Sequence, residues 1–254
     1  MAKLKSPEEI ALLRVGGKRL SRVLDALEEL VIPGITTKEI DMLGERLIRE
    51  GGDKPAFLNY QPTGASYPYP ATVCISVNDE IVHGIPGERV LKVGDIVSLD
   101  IGLIHEGMVV DMARTIAVGQ VDKKVEKLLE MTKDALKAGI KAAVVGKRVG
   151  DISAAIQALG DKAKYGIVRG LGGHGVGHKA HELPFVPNYG TVGTGPLLEV
   201  GMVLALEPMF NLGGDDVYLE KDGYTYTTKD HSYSAHFEHS IVITENGPEV
   251  LTVS

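Results

Sequence analysis

The chain of 254 residues holds a single cysteine, Cys74, which excludes an internal disulfide and a thiolate metal cage and suits a reducing compartment. Basic residues are also in short supply. Lys and Arg total 27 against 34 Asp and Glu, a formal net charge of -7, and no basic stripe stands out to grip nucleic acid without sequence preference. No stretch approaches the roughly 18 apolar residues of a membrane span. The opening MAKLKSPEEIALLRVGGKRL is interrupted by charge before a signal-type apolar core can form, so the expected location is the cytoplasm. No linker rich in Pro or Ser divides the chain. What remains is an ordinary globular composition, 44% hydrophobic and 24% charged, enough for one large domain or two small ones.

Ser6 and Glu9 form a capping box with Pro7 at the first helical position, and Ile10, Leu13, Leu20, Val23, Leu24 and Leu27 continue at helical spacing until Pro33 and Gly34. Gly16 and Gly17 are a weak point inside that helix. A second helix is predicted over about Thr37 to Glu50, ending at Gly51 and Gly52. AFLNYQPTGASYPYP reads as loop, and ATVCISVN, VGDIVSLDIG and GMVVDMARTIAVG read as strands.

The pattern then restarts. Helices are predicted over about 125–145 and 151–164, followed by glycine-rich and strand-like segments. LKVGDIVSLDIG, from residue 91, is echoed by LEVGMVLALEPM, from residue 198: Leu91, Val93, Gly94, Leu99 and Asp100 match Leu198, Val200, Gly201, Leu206 and Glu207 at one constant offset. PGITTKEIDML and VGKRVGDISAAI repeat a helix start in the same way. The prediction is an α+β chain of two helix-helix-strand halves, about 6–118 and 122–254, related by a pseudo-twofold axis and sharing one sheet within a single domain, 1–254.

Each echoed strand is expected to end in an acid, and an unpaired ionised carboxylate at the end of an apolar run is costly. In a strand Asp100 shares a face with Ser98 and Gly102, while Val97, Leu99 and Ile101 point the other way. Hairpin pairing is expected to bring Asp111 opposite Asp100, unless Asp111 is merely paired with Arg114 at the surface. Glu207 repeats Asp100, and Glu238 lies in SAHFEHSIVIT on one face with His236 and Ser240. In GLGGHGVGHKAHELP the glycines discourage a helix, so His174 and His178 are not an i, i+4 zinc pair; either His174 or His181 is the one expected to project toward a centre. Oxygen donors with one imidazole and no sulfur suit Mn, Fe or Co, with Zn allowed, and four carboxylates suit two bridged cations better than one.

Asp100, Asp111, His174, Glu207 and Glu238, in the contexts SLDIG, VVDMART, GGHGVGHKAHELP, ALEPM and SAHFEHSIVIT, resemble the five metal ligands of the methionine aminopeptidase and prolidase superfamily. The resemblance covers nearly the whole chain and implies the pita-bread fold, a curved antiparallel-rich sheet with helices outside. ATVCISVNDEIVHGIPG and EKDGYTYTTKDHSYSAHFEHSIVIT are most similar to the type I methionine aminopeptidases. The short spacing between Glu207 and Glu238 has no room for the type II insertion, and the chain starts close to the first catalytic-domain helix, unlike Xaa-Pro peptidases.

That resemblance implies removal of initiator methionine by a dinuclear metal site, with a relative cleaving Xaa-Pro peptides or dipeptides, or a non-catalytic peptide-binding homologue, as the alternatives. It implies Glu207 as proton relay, His83 and His181 holding the peptide around the tetrahedral intermediate, and Tyr69 and Tyr224 in the methionine pocket, with Tyr67 and Phe57 near it. It implies Asn78 and Ser234 at a monovalent-cation site for Na or K. The partners it implies are N-terminal methionyl peptides and nascent chains near the ribosome, for a monomer with no membrane partner. The chain departs from the pattern at three places. Ala180 stands where an aromatic pocket residue is usual and is expected to enlarge the pocket floor and loosen selectivity; Tyr224 replaces a tryptophan; His236 replaces a glutamine and is expected to support Glu238.

Overall fold

Ser6 caps the first helix as its sequence requires: its hydroxyl accepts the Glu9 N–H, and the Glu9 carboxylate accepts the Ser6 N–H at 2.9 Å. In the computed structural model, which describes residues 2–253, the elements in chain order are α1 (Pro7–Glu29), α2 (Thr37–Glu50), β1 (Lys54–Pro55), β2 (Val73–Val77), β3 (Glu80–Val82), β4 (Ile96–His105), β5 (Met108–Ala117), α3 (Lys123–Ala142) and α4 (Val149–Ala163). The second part continues with β6 (Gly166–Ile167), β7 (Gly172–Gly175), β8 (Glu182–Pro187), β9 (Val203–Leu206), β10 (Met209–Asn211), β11 (Val217–Leu219), β12 (Tyr226–Thr228), β13 (Ser234–His236), β14 (Glu238–Thr244) and β15 (Gly247–Val250). All four predicted helices are present. Gly16 and Gly17 do not weaken α1; they let it approach its neighbours, since a Cβ on Gly17 would stand 2.1 Å from the Leu251 carbonyl oxygen.

One nine-stranded sheet runs β1-β4-β5-β14-β9-β7-β8, with β2 added on β4 and β15 on β14, so both halves contribute strands to it. Its centre is symmetric. β2-β4-β5 of the first half faces β14-β9-β7 of the second across the β5–β14 seam, and the echoed strands β4 and β9 occupy matching places. The backbone repeats as the sequence does. Gly34 N–H donates to Leu91 C=O and Leu91 N–H to Ile35 C=O, while Gly146 N–H donates to Leu198 C=O and Leu198 N–H to Lys147 C=O. Isolated bridges Thr36–Val90 and Arg148–Leu197 match as well.

The apolar sides of the helices bury two clusters against one face of this sheet. Leu20, Leu24 and Ile40 of the first helix pair pack with Leu99 and Ile101, and Leu128, Ile152 and Ile156 of the second pair pack with Leu204, Leu206 and Ile241. Full burial of each such side chain contributes about 1.5–3 kcal/mol. Because strand residues alternate, this packing turns Asp100 and its row neighbours to the opposite face. The sequence expectation that β4 ends in Asp100 is corrected: the strand continues to His105, because Ile101 and Leu103 extend the buried alternation. β9 does end at Leu206, immediately before Glu207. Among the described residues, no helix is long and apolar enough to cross a membrane.

Candidate metal centre

Two adjacent rows of side chains cross the open face of the sheet. In the first, Cys74, Asp100, Ala113 and Glu238 stand opposite one another on β2, β4, β5 and β14, and Glu207 follows Leu206, the partner of His239. In the second, Gly102 faces Asp111, and farther along Ser240 faces Ala205, which faces His174. The residues between the chemical groups are small, which leaves space above the sheet. Asp111 is therefore not directly opposite Asp100, as expected, but two residues away along β5, its diagonal neighbour on the same face. Nor is it held by Arg114, which pairs instead with Asp25 at 2.6 Å and Glu28 at 3.0 Å.

Glycines shape the His174 strand. A Cβ on Gly173 would lie 2.3 Å from the Ala205 carbonyl oxygen, and one on Gly175 2.4 Å from that of Leu183, so only glycine lets β7 sit this close to β9 and β8. His174 Nδ1–H donates to the Gly175 carbonyl oxygen at 2.9 Å, a bond that fixes the ring and leaves Nε2 free to face the acids. That Nε2 is 3.5 Å from Glu207 Oε1. One potential ligand atom each from Asp111, His174 and Glu238 all fall within 4.8 Å of one another.

The electrostatics of this cluster call for cations. Burial, and then the neighbouring Asp111, push Asp100 well above the ordinary carboxylate range; burial followed by Asp111 and Glu207 does the same to Glu238. Burial raises Asp111 to about 6. Burial also acts to raise Glu207, but the His236 and His174 imidazoles outweigh it and hold this acid below the usual range. Asp100 Oδ1, Asp111 Oδ1 and Glu238 Oε1 are buried and have no hydrogen-bond partner. Buried polar atoms are rarely left so, and each costs roughly 1–3 kcal/mol unless something binds it. Carboxylate oxygens with one aligned imidazole fit divalent cations, so the residues present suit such a group.

The cluster lines part of a cavity of about 510 Å³. Phe57, Tyr69, Tyr224, His83 and His181 line it. Burial lowers His83 to about 4, with Glu207 opposing. His181 has an edge open to solvent, but its ring is enclosed by Tyr60 and His174, and that enclosure followed by the His174 charge lowers its pKa. Tyr67 is not in the lining. Ala180 is buried in the first apolar cluster and is also absent from the cavity wall, which corrects the expectation that it enlarges the pocket floor. His236 is buried, with Nε2 3.4 Å from Glu207 Oε2 and 3.9 Å from Glu238 Oε2 and neither ring nitrogen hydrogen-bonded.

Asn78 and Ser234 are neighbours, the Ser234 N–H donating to the Asn78 carbonyl at 2.9 Å. The Asn78 side-chain amide reaches the start of β4, donating to Asp95 and accepting from the Ile96 N–H. Sequence reasoning missed Tyr60, Cys74 and the Pro62–Ala65 stretch, all of which line the cavity. Tyr60 reaches His181 Nδ1 at 3.1 Å. The aromatic density of AFLNYQPTGASYPYP was the one signal that pointed to it.

The sequence pattern of Metallopeptidase family M24 matches residues 11–245. The chain is 45% identical to the methionine aminopeptidase of Clostridium perfringens over 98% of each chain, and 44% identical to that of Aquifex aeolicus, again over 98% of each. The crystal structure of methionine aminopeptidase from Rickettsia prowazekii superposes with a TM-score of 0.96 at 38% identity, covering all of both chains.

Proposed function

Since the chain belongs to metallopeptidase family M24, with methionine aminopeptidases as full-length relatives, we propose that it removes the N-terminal methionine of peptides and nascent proteins by metal-assisted hydrolysis. One observation carries the assignment: Asp100, Asp111, His174, Glu207 and Glu238 line one cavity together, with buried carboxylate oxygens left unpartnered. Asp100 and Asp111 would hold one side of a pair of divalent cations, His174 another, and Glu207 and Glu238 would complete the set. Mn, Fe and Co suit these donors best, with Zn allowed. Such ions, when bound, lower the pKa of water and polarise a carbonyl.

The chain's own residues do the rest. Glu207, kept ionised by His236 and His174, accepts a proton at its carboxylate and returns it to the leaving amine. His83 and His181, neutral at physiological pH, hydrogen-bond the peptide around the scissile carbonyl. Phe57, Tyr69 and Tyr224 supply an apolar, aromatic wall for a flexible thioether. On this reading the enzyme is an exopeptidase that favours a small second residue. The same reading takes residues 1–254 as one catalytic unit, a cytoplasmic monomer acting on nascent chains near the ribosome, and assigns Asn78 and Ser234 to a monovalent cation, Na or K.

The test is turnover of Met-Gly-Met-Met against an Ala-Pro peptide, after chelation and with Mn or Co restored. Metal-dependent release of methionine alone is the expected result. Preferential cleavage of the Ala-Pro peptide would assign the Xaa-Pro reaction instead, and no metal-restored turnover of either would overturn the hydrolase.

A further inference from the structure

Tyr67 was expected near the methionine pocket, and it stands outside the cavity lining. The segment from Tyr60 to Tyr69 is a loop with tied ends: Tyr69 N–H donates to Tyr60 C=O at 2.8 Å, and Asn59 N–H donates to Tyr69 C=O at 2.9 Å. Its Pro62–Ala65 stretch covers one side of the cavity. Gly223 and Tyr224 of the turn at 222–225 also line the cavity, and that turn is held by its own acid. The Asp222 carboxylate accepts the Tyr224 N–H at 2.8 Å, the Thr225 N–H at 2.9 Å and the Thr225 hydroxyl at 2.7 Å.

Loop and turn meet at Tyr67. Its hydroxyl donates to the Asp222 carbonyl at 2.6 Å, and the Tyr224 hydroxyl donates back to the Tyr67 carbonyl. The Tyr67 and Tyr224 rings pack edge to face at 5.1 Å, and Tyr69 flanks Tyr224 from another side at 5.2 Å. Tyr224, which lines the cavity, thus has its ring, its hydroxyl and its turn all referred to the loop through Tyr67.

We propose that Tyr67 is a specificity-determining positioning residue, latching the Tyr60–Tyr69 loop to the 222–225 turn and so setting the Tyr224 wall that meets the substrate's first side chain. The proposal rests on the aminopeptidase reading above. Selectivity among side chains of similar volume depends on a wall that does not yield, because apolar contacts alone discriminate weakly. A latched wall suits unbranched methionine and resists branching; an unlatched one accommodates both.

The test is Tyr67→Phe, which keeps the ring and the backbone acceptor and removes only the bond to Asp222. Amide hydrogen exchange in 61–68 and 222–225 is expected to quicken by about five-fold, the loss of one net hydrogen bond. With Met and Leu peptides the ratio of kcat/KM values is expected to fall by a similar factor through KM, with kcat for Met unchanged. A variant that exchanges at the wild-type rate overturns the latch, and one that loosens both segments yet keeps the Met to Leu ratio overturns its role in selectivity. If the wild-type chain releases no methionine the activity reading fails by itself, while the exchange measurement still decides whether Tyr67 is a latch.

Discussion

Ser240 and Asp111 are bonded to each other twice: the Ser240 hydroxyl accepts the Asp111 N–H at 3.0 Å and donates to the Asp111 carbonyl at 2.8 Å. The pair spans the seam between β5 and β14, where the two halves of the sheet join, and both residues are buried. A hydroxyl is needed there because register pairing of the two strands is complete only at Glu238 and His239. Ser240→Ala orphans two buried backbone groups, each worth roughly 1–3 kcal/mol. A denaturant midpoint lowered with little change in slope is the expected result, together with weaker divalent-cation binding through the displaced Asp111 carboxylate. An unchanged midpoint would show that the seam does not need this pair.

Metal removal should expose the repulsion that the cations relieve. Asp111 titrates at about 6 in the folded chain, above its ordinary value, because burial penalises its charge. A carboxyl whose folded pKa is raised keeps its proton after the unfolded chain has lost its own, so stability is greatest below the unfolded value and declines as pH rises to the folded one. Chelated protein is therefore expected to lose thermal stability between about pH 4 and pH 6, with Asp100 and Glu238 extending the decline upward. Asp111→Asn should flatten the lower part of that profile in chelated protein. Identical slopes for variant and wild type would remove Asp111 as the cause.

His236 offers a separate handle on the same acids. Its Nε2 lies within 4 Å of both Glu207 and Glu238, and it is buried without a hydrogen-bond partner. Supporting groups of this kind orient ligating carboxylates, and their loss commonly costs about 10–100-fold in metal affinity. His236→Gln is expected to shift the Co(II) dissociation constant and the ligand-field absorption of the Co(II)-loaded protein. Titrations and spectra that overlay those of the wild type would place His236 outside the site's support.

Much of the fold was legible because periodic patterns and capping residues act locally. Ser6 with Glu9 announces the start of α1, and Gly51 with Gly52 the end of α2, without any tertiary information. The constant offset between LKVGDIVSLDIG and LEVGMVLALEPM carried the two-half architecture because equivalent strands make the same backbone bonds. Register was less legible. Asp111 lies opposite Gly102 and not Asp100 because a two-residue hairpin turn sets the pairing, and strand alternation reports the face but not the partner. The placement of Cys74 beside Asp100, and of Tyr67 outside the cavity lining, depends on contacts between distant segments. Nothing local in the chain encodes those contacts.

The two outer histidines make the sharpest distinction between holding metal and using it. Burial lowers His83 to about 4, and His181 is lowered by enclosure and by His174, so both imidazoles are neutral at pH 7 and can donate or accept a hydrogen bond. Neither belongs to the group of Asp111, His174 and Glu238 whose ligand atoms converge. His181→Ala and His83→Ala should therefore bind the same number of divalent ions as the wild type. Loss of a hydrogen bond made at the developing oxyanion typically costs about 10²–10³ in kcat. A fall of that size in kcat is expected for the variant whose imidazole meets the scissile carbonyl, and mainly a rise in KM for one that only holds the peptide. Metal content that drops with either substitution would instead make that histidine part of the metal site, and full activity in both would leave the carboxylate cluster to act on the peptide without them.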